Sequence, residues 1–220
     1  MPIDWGELDQ RLCSPSEWTA AARQLTASDE PFTGPPPAGL LRAIARGPHA
    51  GGEPLLTVAR AWSRPEMSRA ALDALLAESD PESRAQLAWL VKHVLDAAHA
   101  PEVIAMVLDP QHPPEVRSWL VEGLERLVRG GALSWAELDP VVRHVERSEH
   151  PGLRIRVPSL LETLPWHDGN VPVLAALLDD ADREVVLSAA HTLSMYPEAM
   201  SRLDPQRRER VRQLTTHRRE

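Results

Sequence analysis

The residues with the richest chemistry lie in one short run, HVERSEH, which places His144, Glu146, Glu149 and His150 within seven positions. A carboxylate and an imidazole four apart, as in Glu146 and His150, can meet on one helix face and share a divalent cation. Pro151 follows at once, so the helix that would align them ends there, and no second cluster supplies further ligands. The other histidines are scattered, and a Ser-His-Asp arrangement, which is defined by contacts in the fold and not by spacing, is not proposed from them. The stretch GPHAGGEP lacks the Lys and Ser/Thr of a phosphate loop. Cys13 is the only cysteine, which excludes an intrachain disulfide and a cysteine-based zinc site and fits a reducing compartment. No catalytic residue, metal or cofactor is expected.

Recognition chemistry is better supplied. Seven Trp stand against one Phe and one Tyr, and 32 acidic residues exceed 24 basic ones for a net charge of −8. That balance opposes duplex nucleic acid or an anionic membrane as the main partner and suits a basic one. The acidity is concentrated: residues 202–220 hold seven Arg and three acids, leaving a net of −12 on the rest. The cations are 23 Arg and a single Lys, Lys92, and with 21 Pro this is the drift of a GC-rich, bacterial coding sequence. The start, MPIDWGELDQ, has no basic segment leading into an apolar one, and no window approaches the roughly 18 apolar residues of a membrane span, so a cytoplasmic protein is expected.

The elements that must position these residues are helices. Apolar residues recur at i, i+3, i+4 and i+7 almost everywhere after residue 50, with no alternating strand pattern. Asp4 with Glu7, Ser14 with Glu17 and Ser134 with Glu137 fit the capping box, and Pro15, Pro65, Pro81, Pro101 and Pro151 suit first helical positions. The expected helices are roughly 4–12, 15–26, 38–46, 53–62, 65–78, 81–97, 101–108, 114–129, 135–147, 151–164, 171–179, 183–195 and 205–216. The stretch 28–39, SDEPFTGPPPAG, reads as a linker because Pro and Gly deny it a helix. It divides an N-terminal helical hairpin, 1–27, from a main body, 40–201, which ends in an Arg-rich capping helix or tail, 202–220.

The segments DPESRAQLAWLVKHV, PPEVRSWLVEGLERL, HPGLRIRVPSLLETL and DREVVLSAAHTLSMY align Arg84, Arg117, Arg154 and Val186 at spacings of 33, 37 and 32 residues. A shorter helix precedes each of the last three. Helix pairs at this period bury their apolar stripes only by stacking on neighbours. PPEVR at 113–117 and DREVV at 182–186 resemble the opening of the second helix of HEAT and HEAT-like repeats; HPGLR at 150–154 is a looser copy. The resemblance implies an all-α, right-handed α-solenoid of antiparallel helix hairpins, used as a binding scaffold, with the second helices lining its concave surface.

The register converts that wall into columns. One reads Glu82, Glu115, Gly152, Glu184; the next Trp89, Glu122, Ser159, His191; a third Lys92, Glu125, Glu162, Ser194. Trp89 lies opposite the apolar arc of Leu87, Leu90, Val91 and Val94, so it either packs on a neighbouring helix or serves as a recognition aromatic. Trp119 borders its own apolar arc and leans to the core. Trp62, Trp135 and Trp166 lie near helix ends, where packing is the default, and Trp5 and Trp18 belong to the N-terminal hairpin. The expected partner-binding set is Glu82, Trp89, Glu115, Trp119, Glu122, Glu125, Glu162 and His191, and the expected partner a basic protein, met by an immunity- or antitoxin-like inhibitor or by an adaptor. The rival reading is an enzyme. HEAT-like alkylpurine DNA glycosylases have comparable length and use Trp, Asp and Arg on a concave face, but a phosphate groove needs cations where three columns here show Glu. HEAT-like lysine hydroxylases carry paired His-Glu dipeptides, absent here, and nothing supports the tetrapyrrole site of HEAT-like bilin lyases.

Overall fold

Helices begin where a side chain or a proline can serve the first amides. Asp80 accepts from the Ser83 amide at 2.8 Å ahead of Pro81, Asp182 accepts from the amides of Glu184 and Val185, and Glu137 accepts from both Ser134 N–H and its hydroxyl. A computed structural model describes residues 34–46, 53–60, 62, 64–163 and 169–216, together with residues 10, 11, 14, 17 and 20. Among them are α1 (Ala38–Arg46), α2 (Glu53–Arg60), α3 (Arg64–Ala77), α4 (Pro81–Val94), α5 (Ala100–Leu108) and α6 (Pro114–Arg129). These are followed by α7 (Trp135–Val145), α8 (Pro151–Arg154), α9 (Arg156–Thr163), α10 (Asn170–Leu177), α11 (Arg183–Met195), α12 (Pro197–Arg202) and α13 (Pro205–Thr216). The fold is all-α, with no strand among the described residues. No helix among them is long and apolar enough to cross a membrane. Of the helices expected at 4–12 and 15–26 only Gln10, Arg11, Glu17 and Ala20 are described, and Trp5, Trp18 and Trp166 lie outside the described residues.

Two differences from the expected boundaries have a simple cause. The helix expected over 151–164 is interrupted at Ile155, because Pro158 has no N–H to offer the Arg154 carbonyl four residues back. Pro197 starts α12, a short helix absent from the expected set; its six residues are too few to show a periodicity.

The chain forms two units, 1–127 and 128–220. In the first, α4 packs against α1, α2 and α3, so it is enclosed on several sides, and Ala85, Gln86, Leu87, Ala88, Leu90, Val91 and Val94 are all buried. The apolar arc of α6, Val116, Leu120, Leu124 and Leu127, is buried as the wheel requires. In the second unit α11 packs against α9, α10, α12 and α13, and α9 against α7, around Leu153, Val157, Leu160, Leu161, Leu174, Val185 and Leu193. The described part of the Arg-rich C-terminal segment holds the end of α12 and all of α13: Val211 is buried, and Arg207 and Arg210 both reach Asp179, at 2.8 and 3.0 Å.

Side-chain ties between elements recur at one reach. Arg69 pairs with Glu102, Arg84 with His112, Arg154 with Asp180, Thr192 with Glu162, and Arg60 with His93, all between 26 and 33 positions apart. The aligned arginines each tie the first turns of their helix to another segment, though to different partners. Arg84 donates to His112 Nδ1 at 3.0 Å, buried Arg117 to the Val107 carbonyl at 2.8 Å, and Arg154 to Asp180 and to the Ser148 carbonyl.

Gly123 marks where α6 crosses α4. A Cβ there would lie 3.2 Å from Lys92 Cα and 3.3 Å from Leu95 Cδ2. Gly123→Ala gains roughly 1 kcal/mol of helix propensity but forces one helix backbone off another, which costs more. We expect a net loss of about 1 kcal/mol, read from the urea midpoint; a rise in stability would show that the two backbones separate freely.

Candidate functional site

The crossing at Gly123 assembles the residues of greatest interest in the first unit. Lys92, from the last turn of α4, reaches over α6: its Nζ lies 2.5 Å from Glu122 Oε2 and 4.7 Å from the centre of the Trp119 ring. The pair is sheltered, with the Lys92 side chain 24% and the Glu122 side chain 15% exposed. An ammonium held between an indole face and a carboxylate is a cation site satisfied by two independent attractions.

One turn before Lys92, Trp89 is half-buried with its ring edge-on to His93, centroids 4.9 Å apart. His93 Nδ1 lies 3.0 Å from Arg60 Nη2. A guanidinium can only donate, so Nδ1 accepts and the imidazole is neutral. Burial, then the charges of Arg60, Lys92 and Arg126, push the His93 pKa down to about 4. Arg126, one turn beyond Glu122, donates from Nε to the Lys92 carbonyl at 3.1 Å and from Nη2 to the Leu95 carbonyl. It thereby satisfies the negative end of α4, which has no further turn to accept from.

The expected site residues divide between the units. Glu82 and Glu115 are exposed in the first turns of α4 and α6, and Glu125 is half-buried on α6. Trp119, expected to lean to the core, is half-buried with Lys92 across its face. Glu122 is part of the cation site. Glu162 and His191 belong to the second unit: the Glu162 carboxylate accepts from the Thr192 hydroxyl at 2.5 Å, and His191 is exposed on α11. His93, Arg60 and Arg126 were not singled out in the sequence. The available signal was the position of His93 four residues after Trp89, which puts both on one helix face.

The His/acid run gathers nothing. Glu146 is beside Arg147 after the last turn of α7, His150 is exposed, and among the described residues no three His, Cys, Asp or Glu converge as metal ligands. The second unit has an open cleft of about 450 Å³ between the end of α7 and α10, lined by Arg143, Glu146, Arg147, Pro172, Ala176 and Asp180. Asp180 there is held by Arg154, which keeps its pKa below the usual carboxylate value.

No protein-family model matches the chain, and no curated protein matches it in sequence.

Proposed function

We propose that the chain is a non-catalytic binding module in which helix hairpins stack within each unit as HEAT-like repeats of a right-handed α-solenoid, and that the α4/α6 face binds a basic protein. The observation that carries this reading is the half-buried Trp119 against the Lys92–Glu122 pair, with half-buried Trp89 one turn before Lys92 and Glu82, Glu115 and Glu125 on the same two helices. The ties of about thirty residues support the stacking, since each repeat of a solenoid is held by its neighbours. Charge supports the partner: the first unit holds 18 acidic residues against 11 basic, a net of −7, while the second holds 14 against 13. The cations near Trp89 do not favour phosphate, because Lys92 is engaged by Glu122, Arg126 by main-chain carbonyls and Arg60 by His93. An inhibitor of a basic toxin and an adaptor both use such a face.

An octa-arginine peptide is a suitable first probe. Glu82→Lys with Glu115→Lys should weaken its binding about tenfold at low salt and reduce the salt dependence, while Trp89→Ala should weaken it about thirtyfold at any salt. The same change of charge in the second unit, Glu184→Lys with Glu198→Lys, should matter little. Equal losses from both double variants would reduce the interaction to net charge and remove the α4/α6 face from consideration.

A further inference from the structure

We infer that Trp119 and Glu122 form a receptor for a cationic side chain, above all a guanidinium, which Lys92 fills in the free chain and the partner's arginine fills in the complex. This rests on the reading of the α4/α6 face as a surface for a basic partner and names the chemistry of its central contact. The indole and carboxylate lie one turn apart on α6 and are fixed against α4 by the approach at Gly123, so the receptor is formed before anything binds.

Its present occupant is the chain's only lysine, among 23 arginines. That choice matters physically. A guanidinium lies flat on an indole and offers paired N–H groups to a carboxylate, whereas an ammonium is a compact, strongly hydrated charge on a flexible stem. The receptor therefore holds the weaker of the two natural cations. Exchange for an arginine keeps the ion pair and the cation–π contact, improves both geometries, and returns the partly exposed ammonium to water.

Nα-acetyl-arginine amide, which carries a guanidinium and no amine, is the probe. Its binding to the parent and to Lys92→Met is followed through the tryptophan indole N–H signals. The vacated receptor should bind about tenfold more tightly than the parent's, and adding Glu122→Gln should abolish the gain. The second measurement uses the parent alone, so it does not depend on the folding of a variant. Acetylation of Lys92 by an N-hydroxysuccinimide ester should quicken about threefold or more in excess arginine amide, as the amine leaves its carboxylate. Equal affinities in parent and Lys92→Met, or acetylation that is unchanged or slowed, overturns the exchange. If the parent still binds octa-arginine through Glu82 and Glu115, that result removes the exchange and leaves the binding module; if it binds neither probe, both are lost.

Discussion

Replacing Arg154 by alanine removes about 3 kcal/mol of stability, as measured by urea unfolding at neutral pH. The expectation follows from shelter and geometry. Arg154 donates from Nε and Nη2 to the two oxygens of Asp180 at 2.6 and 2.7 Å, and from Nη1 to the Ser148 carbonyl at 2.7 Å. The Arg154 side chain is 15% exposed and that of Asp180 only 7%. Removing the cation leaves a sheltered carboxylate facing an empty space, a larger penalty than the net worth of the pair. Asp180→Asn should cost less, because the amide oxygen still accepts one of the two bonds. The pairing also sets a pH dependence. The Asp180 pKa is lowered in the fold, chiefly by the Arg154 hydrogen bonds, so its stabilisation is complete above the unfolded value near ~4 and is lost as the pH falls below it. A variant lacking Arg154 should lack that part of the acid profile, and a loss under about 1 kcal/mol would mean that solvent reaches the site.

Acidification should weaken the first unit earlier, through His93. Its pKa is 6.5 as a free side chain and about 4 in the fold, so between these values the unfolded chain takes up a proton that the folded chain refuses. Stability is therefore full above pH 6.5 and declines as the pH falls towards about 4, by roughly 2 to 3 kcal/mol from this group. After burial, the charges that lower the His93 pKa come from three helices: Arg60 from α2, Lys92 from α4 and Arg126 from α6. His93→Gln can still accept from Arg60 but cannot titrate, so its unfolding free energy should fall clearly less than the parent's from pH 6.5 to 5, the remaining decline coming from His112, whose pKa burial and Arg84 also hold down. If the variant loses as much as the parent over that range, the decline belongs to other groups.

The helices were legible because their signals are local. The cap at Ser134, the proline starts at Pro81 and Pro151 and the arcs of α4, α6 and α9 follow from neighbours within a turn or two; the caps at Asp80 and Asp182 carry the same local signal and were not picked out. The break at Ile155 was legible in principle, since Pro158 stands in the sequence; the apolar period that runs through it concealed the missing amide. The site was legible in composition and not in pairing. Trp89, Trp119 and Glu122 could be selected as the aromatic and acidic positions of the second helices. The columns, however, placed Lys92 level with Glu125, whereas the structure joins it to Glu122. That diagonal depends on the rotation and crossing of α4 and α6, which are set by the contact at Gly123 and leave no periodic mark. His93 was passed over for a related reason: its neutrality comes from residues on three helices, and no single segment displays them.

The recurring reach of the side-chain ties bears on how the chain finds its fold. The entropy lost in joining two points rises with the logarithm of the intervening length, so ties of 26 to 34 residues all demand nearly the same sacrifice of chain freedom. None has to wait for a much larger loop to close, and each, once made, brings the next pair of helices within the same short search. Such an order of closure favours rapid collapse by successive local steps, in contrast to proteins whose first and last segments must meet before either is held.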